Sequence, residues 1–211
     1  MRPENKPTGQ ESGSFIERAR RAQIIASAIE VIADQGFANA SLARIAKHAG
    51  ISKGVISYHF AGKDELMEQV VDQVYADIAR YVLERMEGHK SATALLRTQI
   101  TAVAQHMREH RSQVKALGEI FYNLRLPDGT PRYGVAASEE LFQSLELIYR
   151  HGQESGEFRL FDVRVMAVSH TAAVDNMFAY WVTHPGHDLD AHARELADIF
   201  VHATRAEGAL P

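Results

Sequence analysis

From Phe15 to Gln35, apolar side chains fall at Ile16, Ile24, Ile25, Ala28, Ile29, Ile32 and Ala33. The interval is close to 3.6 residues, so the spacing predicts a helix with one buried stripe, stopped by Gly36. Ser41 is an N-cap residue ahead of LARIAKHA, which ends at Gly50, and Ser52 caps a second short helix of about two turns. Asp64 and Glu65 then open a long helix, where acidic side chains suit the helix dipole. Its apolar face (Leu66, Val70, Val71, Val74, Ile78 and Val82) runs from about Lys63 to Met86, and Gly88 closes it. At about 1.5 Å per residue this helix spans roughly 35 Å, enough to lead from one domain into another. Helical periods continue over 91–109, 111–125, 135–154, 162–184 and 189–206, broken by LPDGTP, ESGEF and HPG. No alternating strand pattern and no internal repeat occurs, so the expectation is an all-α chain of about nine helices.

Composition narrows the choice. The 211 residues are 45% hydrophobic and 24% charged, enough for a folded core. The absence of Cys excludes disulfides, thiolate metal sites and a Cys nucleophile. No apolar run approaches the ~20 residues that cross a bilayer, and the polar start MRPENKPTGQESGSF lacks a secretory h-region. We therefore expect a cytoplasmic protein with no membrane partner and a disordered leader over 1–14. The net charge of −4 is unevenly spread: residues 1–60 hold 8 Lys and Arg against 5 Asp and Glu, whereas 61–211 hold 15 against 22. A cationic end on an acidic body points to a polyanionic partner for the N-terminal part alone.

Residues 41–60 have the helix-turn-helix layout, two short helices joined by Ala49-Gly50-Ile51. Leu42, Ile45, Ala46, Ala49, Ile51, Ile56 and Phe60 suit a small core against the first helix. Lys53, Gly54, Val55, Ser57, Tyr58 and His59 are left for the outside. Lys53 at the N-terminal turn suits a guanine edge or a phosphate, and Gly54 permits close backbone approach. Ser57, Tyr58 and His59 offer donors to phosphate oxygens, and Lys63 adds charge where the long helix begins. A plain helical hairpin with Lys53 solvated is the competing interpretation.

The run ARRAQIIASAIEVIADQGFANASLARIAKHAGISKGVISYHFAGKDELMEQVV resembles the DNA-binding domain of the TetR family of bacterial transcriptional regulators. The likeness covers about 50 residues: an Arg before Ile-Ile, Gly36-Phe37, Ser41, Ile45-Ala46, Ala49 to Ser52, and Phe60 ahead of Gly62-Lys63 and Leu66. It implies a homodimer on a palindromic double-stranded DNA operator, with recognition helices about 34–36 Å apart. It also implies a small-molecule effector held by the C-terminal domain, with no cofactor and no catalysis. By that likeness Ser41, Lys53, Gly54, Tyr58, His59 and Lys63 face DNA. Ser52 and Val55 flank them, and Arg44 supplies the charge that many members carry at the position of Ala43. Ser57 stands where the family often has Tyr. The implied division is a DNA-binding domain over 15–62, a connecting helix over 63–88, and an effector-binding and dimerisation domain over 89–211.

The body offers less specific chemistry. In the helix at 162–184, small residues such as Val168, Ala172, Asn176 and Ala179 allow close helix approach, and Leu196, Ile199 and Phe200 stripe the last helix. These seven are the expected dimer face, with intramolecular core as the alternative. Expected effector contacts are His106, Met107, Glu119, Phe121, Tyr122, Phe142, His170, Met177, Phe178 and Trp181. Asp175 joins them as a polar group midway along an apolar helix. His106 and His110 have chelate spacing, and His184, His187 and His192 cluster, yet HMREH lacks the Glu that metalloprotease chemistry needs, so no metal site is expected. A helical enzyme or carrier that keeps the hairpin as scaffold is the rival function.

Overall fold

The computed structural model describes residues 9–206 of the chain. Nine α-helices run among these residues: α1 (Gly9–Gln35), α2 (Leu42–His48), α3 (Lys53–His59), α4 (Lys63–Met86), α5 (Ala92–Glu109), α6 (Arg111–Asn123), α7 (Glu139–Glu154), α8 (Val163–Thr183) and α9 (Leu189–Thr204). A 3₁₀ turn, Val135–Ser138, forms what periodicity assigned to the start of α7. The described residues contain no named strand, only isolated bridges at Arg125–Pro131 and Phe158–Arg205. Helix α1 begins at Gly9, inside the segment expected as a disordered leader, whose residues 1–8 lie outside the described ones.

The chain divides into two compact units, one ending at Gln73 and one beginning at Val74, so the boundary falls inside α4. In the first unit Ile24, Ala28 and Ile32 of α1 are sealed with Ile45, Ile56, Phe60, Leu66, Met67 and Val70. Each such fully buried Ile or Leu contributes roughly 1.5–3 kcal/mol by leaving water. Ile16, expected on the buried stripe, is instead 64% exposed. In the second unit α5 packs on α9 and α7 on α8. Leu96, Ile100, Ile120, Leu145, Tyr149 and Ala197 are buried there. Glu157 closes the N-terminus of α5, accepting hydrogen bonds from the Ser91 hydroxyl (2.6 Å) and from Ala92 N–H and Thr93 N–H. Within the same core the Tyr149 hydroxyl pairs with His170 Nδ1 at 2.8 Å, and the His170 ring stacks on Phe200.

Candidate nucleic-acid interface and effector site

Local chemistry shapes the hairpin. Ser41 Oγ accepts from Arg44 N–H and Ser52 Oγ from Val55 N–H, both at 3.3 Å, so each short helix starts on a side-chain cap. Gly50 takes φ +67°, the left-handed conformation that turns α2 into α3 with little strain for glycine alone. Gln23 Nε2 donates to Ala49 O at 2.9 Å and pins this turn to α1. Arg21 donates to His59 O and lies 4.4 Å over the Phe60 ring, holding the other end of α3. Arg21 and Gln23 were not among the sequence candidates, although the first belongs to the Arg-before-Ile-Ile pattern.

With Ile56 and Phe60 buried beneath it, α3 presents Lys53, Gly54, Ser57 and Tyr58 to solvent, the last 80% exposed. Ser41, Arg44 and Ser52 are exposed, and Val55, His59 and Lys63 half-buried. A Cβ added at Gly54 would meet only Ser52 Oγ, at 3.6 Å, so nothing inside the chain requires glycine there. Two expected contacts are engaged within the chain. Arg44 Nη1 donates to Asn39 O at 3.0 Å, and Lys63 Nζ donates to Phe37 O while sitting 4.0 Å over the Phe37 ring. Burial lowers the Lys63 ammonium pKa, opposed by the Asp64 charge. An open groove of about 390 Å³ lies beside Tyr58 and His59, lined also by Ile16, Glu17 and Arg20.

In the second unit the expected effector residues differ in burial. His106, Met107, Phe142, His170, Met177 and Trp181 are buried. His106 stacks on His110 at 4.2 Å, Arg164 lies 5.6 Å from the Phe142 ring, and Arg111 lies 4.3 Å from the Trp181 ring. Burial, then the neighbouring His110, lowers the His106 pKa. Glu119, Phe121 and Phe178 are half-buried, whereas Tyr122 points outward at 79% exposure. Asp175 stands on the solvent-accessible side of α8. It acts electrostatically on Tyr75, which the sequence did not single out, and Tyr75 stacks on Phe121.

Along α8 and α9 an apolar face is uncovered: Val168, Ala172, Asn176 and Ala179 are exposed, and Ile199 is 60% exposed. It borders an open groove of about 600 Å³ lined in part by Asn176, Ala179, Tyr180 and Leu196. Within the single chain two expected dimer-face residues are already covered: Phe200 is buried with its ring on His170 of α8, and Leu196 is largely buried at the groove edge. Of the clustered histidines, His187 Nε2 and His192 Nδ1 pair at 2.8 Å, and His184 stacks on Tyr180. Among the described residues no group of three or more His, Asp or Glu is placed to hold a metal ion. No helix among them is long and apolar enough to cross a membrane.

Residues 24–70 match the family model described as "Bacterial regulatory proteins, tetR family". The chain is 47% identical over 66 residues to the HTH-type transcriptional regulator BetI 1 of Chromohalobacter salexigens. That alignment covers 31% of this chain and about a third (33%) of the relative's length. Similar folds include the fatty acid degradation regulator FadR of Bacillus halodurans, with TM-score 0.74 and 18% identity over 90% of this chain and 99% of that one. FadR of Bacillus subtilis, solved in complex with stearoyl-CoA, gives TM-score 0.75 and 24% identity over 85% and 97%. By its helix-turn-helix sequence the segment 24–70 matches the TetR family, and the chain as a whole is similar in fold to the two FadR regulators.

Proposed function

We propose that the chain is a DNA-binding regulator of transcription, a homodimeric repressor that grips a palindromic operator and lets go when a small molecule binds its C-terminal body. The observation that carries this reading is α3: a seven-residue helix, anchored at both ends, whose exposed face combines a cation, a glycine with no internal role, and hydroxyl donors. Such a face suits base edges and phosphates in a major groove. We assign DNA binding to 15–62, connection to 63–88, and effector binding and dimerisation to 89–211. The uncovered stripe of α8 and α9 supports pairing with a second copy, which would set two α3 helices one helical turn apart. Helix α4 belongs to both units, so an effector that displaces its second half would carry the first with it. Only an effector with unequal affinity for the two states shifts the equilibrium. The bound stearoyl-CoA of the Bacillus subtilis protein supports a ligand role for the helical body. The helical-enzyme alternative has no counterpart among these relatives, which are regulators. A DNA-binding role places the chain in the cytoplasm.

Selection of bound duplexes from a random library at two salt concentrations tests the reading. A recovered palindrome, with affinity falling steeply as salt rises, is the expected result. Recovery of nothing above background would overturn it. Sedimentation of the chain with and without the selected duplex checks the dimer.

A further inference from the structure

Four rings gather at one end of the uncovered α8–α9 face. His187, in the turn between the two helices, and His192, in the first turn of α9, come within 2.8 Å through Nε2 and Nδ1. Their rings stand nearly perpendicular, at 88°. Tyr180 of α8 meets three imidazoles: it stacks on His184 at 3.9 Å and makes edge contacts with His187 at 4.8 Å and His192 at 6.5 Å. Tyr180 is exposed, and His187 and His192 are half-buried. Tyr180 and His192 also line the open groove of about 600 Å³, whose remaining walls are largely apolar, with Ala173, Met177, Ala179 and Leu196 among them.

A 2.8 Å separation limits how many protons the pair can hold. One ring nitrogen donates and the other accepts, so the contact survives when neutral or with one added proton. Two added protons would set N–H against N–H and break it. Burial, then His187, lowers the His192 pKa below its ordinary 6.5, so His192 is neutral at pH 7.5. The charged groups around the cluster are engaged with one another. Asp188 accepts from Ala191 N–H at 2.9 Å and feels Arg194 and His187, and Asp190 pairs with Arg108 of α5, which also meets Glu109. Arg111 of α6 donates to the carbonyls of Trp181 and Val182, and Glu195 of α9 is exposed.

A second copy seated on this face would close the groove over His192. Closing it over neutral rings removes apolar surface from water, whereas closing it over an imidazolium strips the hydration of a charge. We propose that the His187–His192 pair is an acid-sensitive latch on the face where two copies meet: the neutral pair lets them associate, and proton uptake drives them apart. This rests on the homodimer reading above and adds its control by pH. Association favours the neutral form, so the imidazole pKa is lower in the dimer than in the separated chain. The dimer is therefore firmest above the separated chain's pKa and weakens as pH falls through it. A single copy holds one half-site only, so acid also loosens the grip on a palindrome.

Sedimentation equilibrium of the full chain at pH 8.0 and pH 5.5, at equal ionic strength, tests the latch. The dimer dissociation constant should rise roughly tenfold or more at pH 5.5, with near-ultraviolet circular dichroism confirming that the fold persists. In the double variant His187→Gln with His192→Gln, whose amides stay polar but take up no proton, the rise should shrink to less than about threefold. His89→Gln, which removes an exposed histidine just after α4, should keep the full rise. The ratio between the two pH values is read within each variant, so a general weakening of the interface does not enter it. A dimer whose constant is the same at both pH values, or a double variant with the wild-type pH dependence, overturns the latch alone. A chain that stays monomeric at both pH values overturns the homodimer reading and the latch with it.

Discussion

Gly54→Ala separates what the fold needs from what a partner needs. Gly54 lies in the first turn of α3, with φ outside the left-handed region, and an added Cβ has ordinary van der Waals room, its nearest neighbour being Ser52 Oγ at 3.6 Å. Glycine costs ~1 kcal/mol against alanine in a helix interior and less near an end, so the variant should gain about 0.5 kcal/mol of stability. That methyl belongs to the turn that shows Lys53 to solvent, where a groove-seated helix leaves little room. Forcing a methyl into a close-packed contact costs ~1–3 kcal/mol, so operator affinity should fall roughly 5- to 150-fold. The salt slope should stay the same, because no phosphate-neutralising charge is lost. Urea denaturation and fluorescence anisotropy with the selected duplex read the two effects separately. Wild-type affinity in a stabilised variant would refute close approach at Gly54. A destabilised variant would refute the local geometry.

Three further outcomes test the body. Burial holds His170 down at about 4, below its unfolded value of 6.5, so the stability linked to its neutral form is present above pH 6.5 and lost as pH falls toward 4. Wild type should lose ~2 kcal/mol more than His170→Gln between pH 7.5 and pH 5 in urea denaturation, and parallel losses would refute the assignment. A Cβ at Gly152 would stand 2.0 Å from Phe158 Cδ2, so Gly152→Ala should cost at least ~1–3 kcal/mol, partly recovered in the double variant with Phe158→Leu; simple additivity of the two would contradict the clash. Burial pushes the Glu157 carboxyl up, but hydrogen bonds from Ser91, Thr93 and Ala92 bring it down to about 2. Glu157→Gln should therefore lose ~2 kcal/mol at pH 7, a difference present above pH 4.5 that fades as pH falls toward 2; equal thermal stability at pH 7 would sink the capping role.

The 3.6-residue period and the Ser, Asp and Gly signals located the helices, because both report on contacts within one segment. Features that depend on two segments were harder to read. Ile16 keeps the stripe's spacing, yet it is left uncovered. Leu196 and Phe200 share a helix with Ile199, and only the tertiary packing, Phe200 on His170 of α8 among it, shows which side is already covered. Arg44 and Lys63 bind the carbonyls of Asn39 and Phe37, acceptors that every residue possesses and no residue pattern displays. Tyr75, Phe121 and Tyr133 meet from three separate stretches of chain, so no spacing rule connects them.

The placing of α3 follows from its length. A seven-residue helix is far below the ~12–15 residues at which isolated helices begin to persist in water, so the tertiary structure must supply its order. Ser52 satisfies its first turn, Ile56 and Phe60 bury its inner side, and Arg21 engages the carbonyl of His59 at its last residue. The side chains proposed to meet DNA are therefore ordered in large part by the cap, core and α1 residues around them. Arg21 deserves the closest attention, since it joins α1 to the end of α3 by a charge-assisted hydrogen bond and covers the Phe60 ring. Loosening that joint would let α3 fray at Tyr58 and His59, weakening every duplex contact together while leaving Lys53 and its neighbours chemically intact. A loss of DNA binding on substitution is thus not by itself proof of a direct contact in a helix this short.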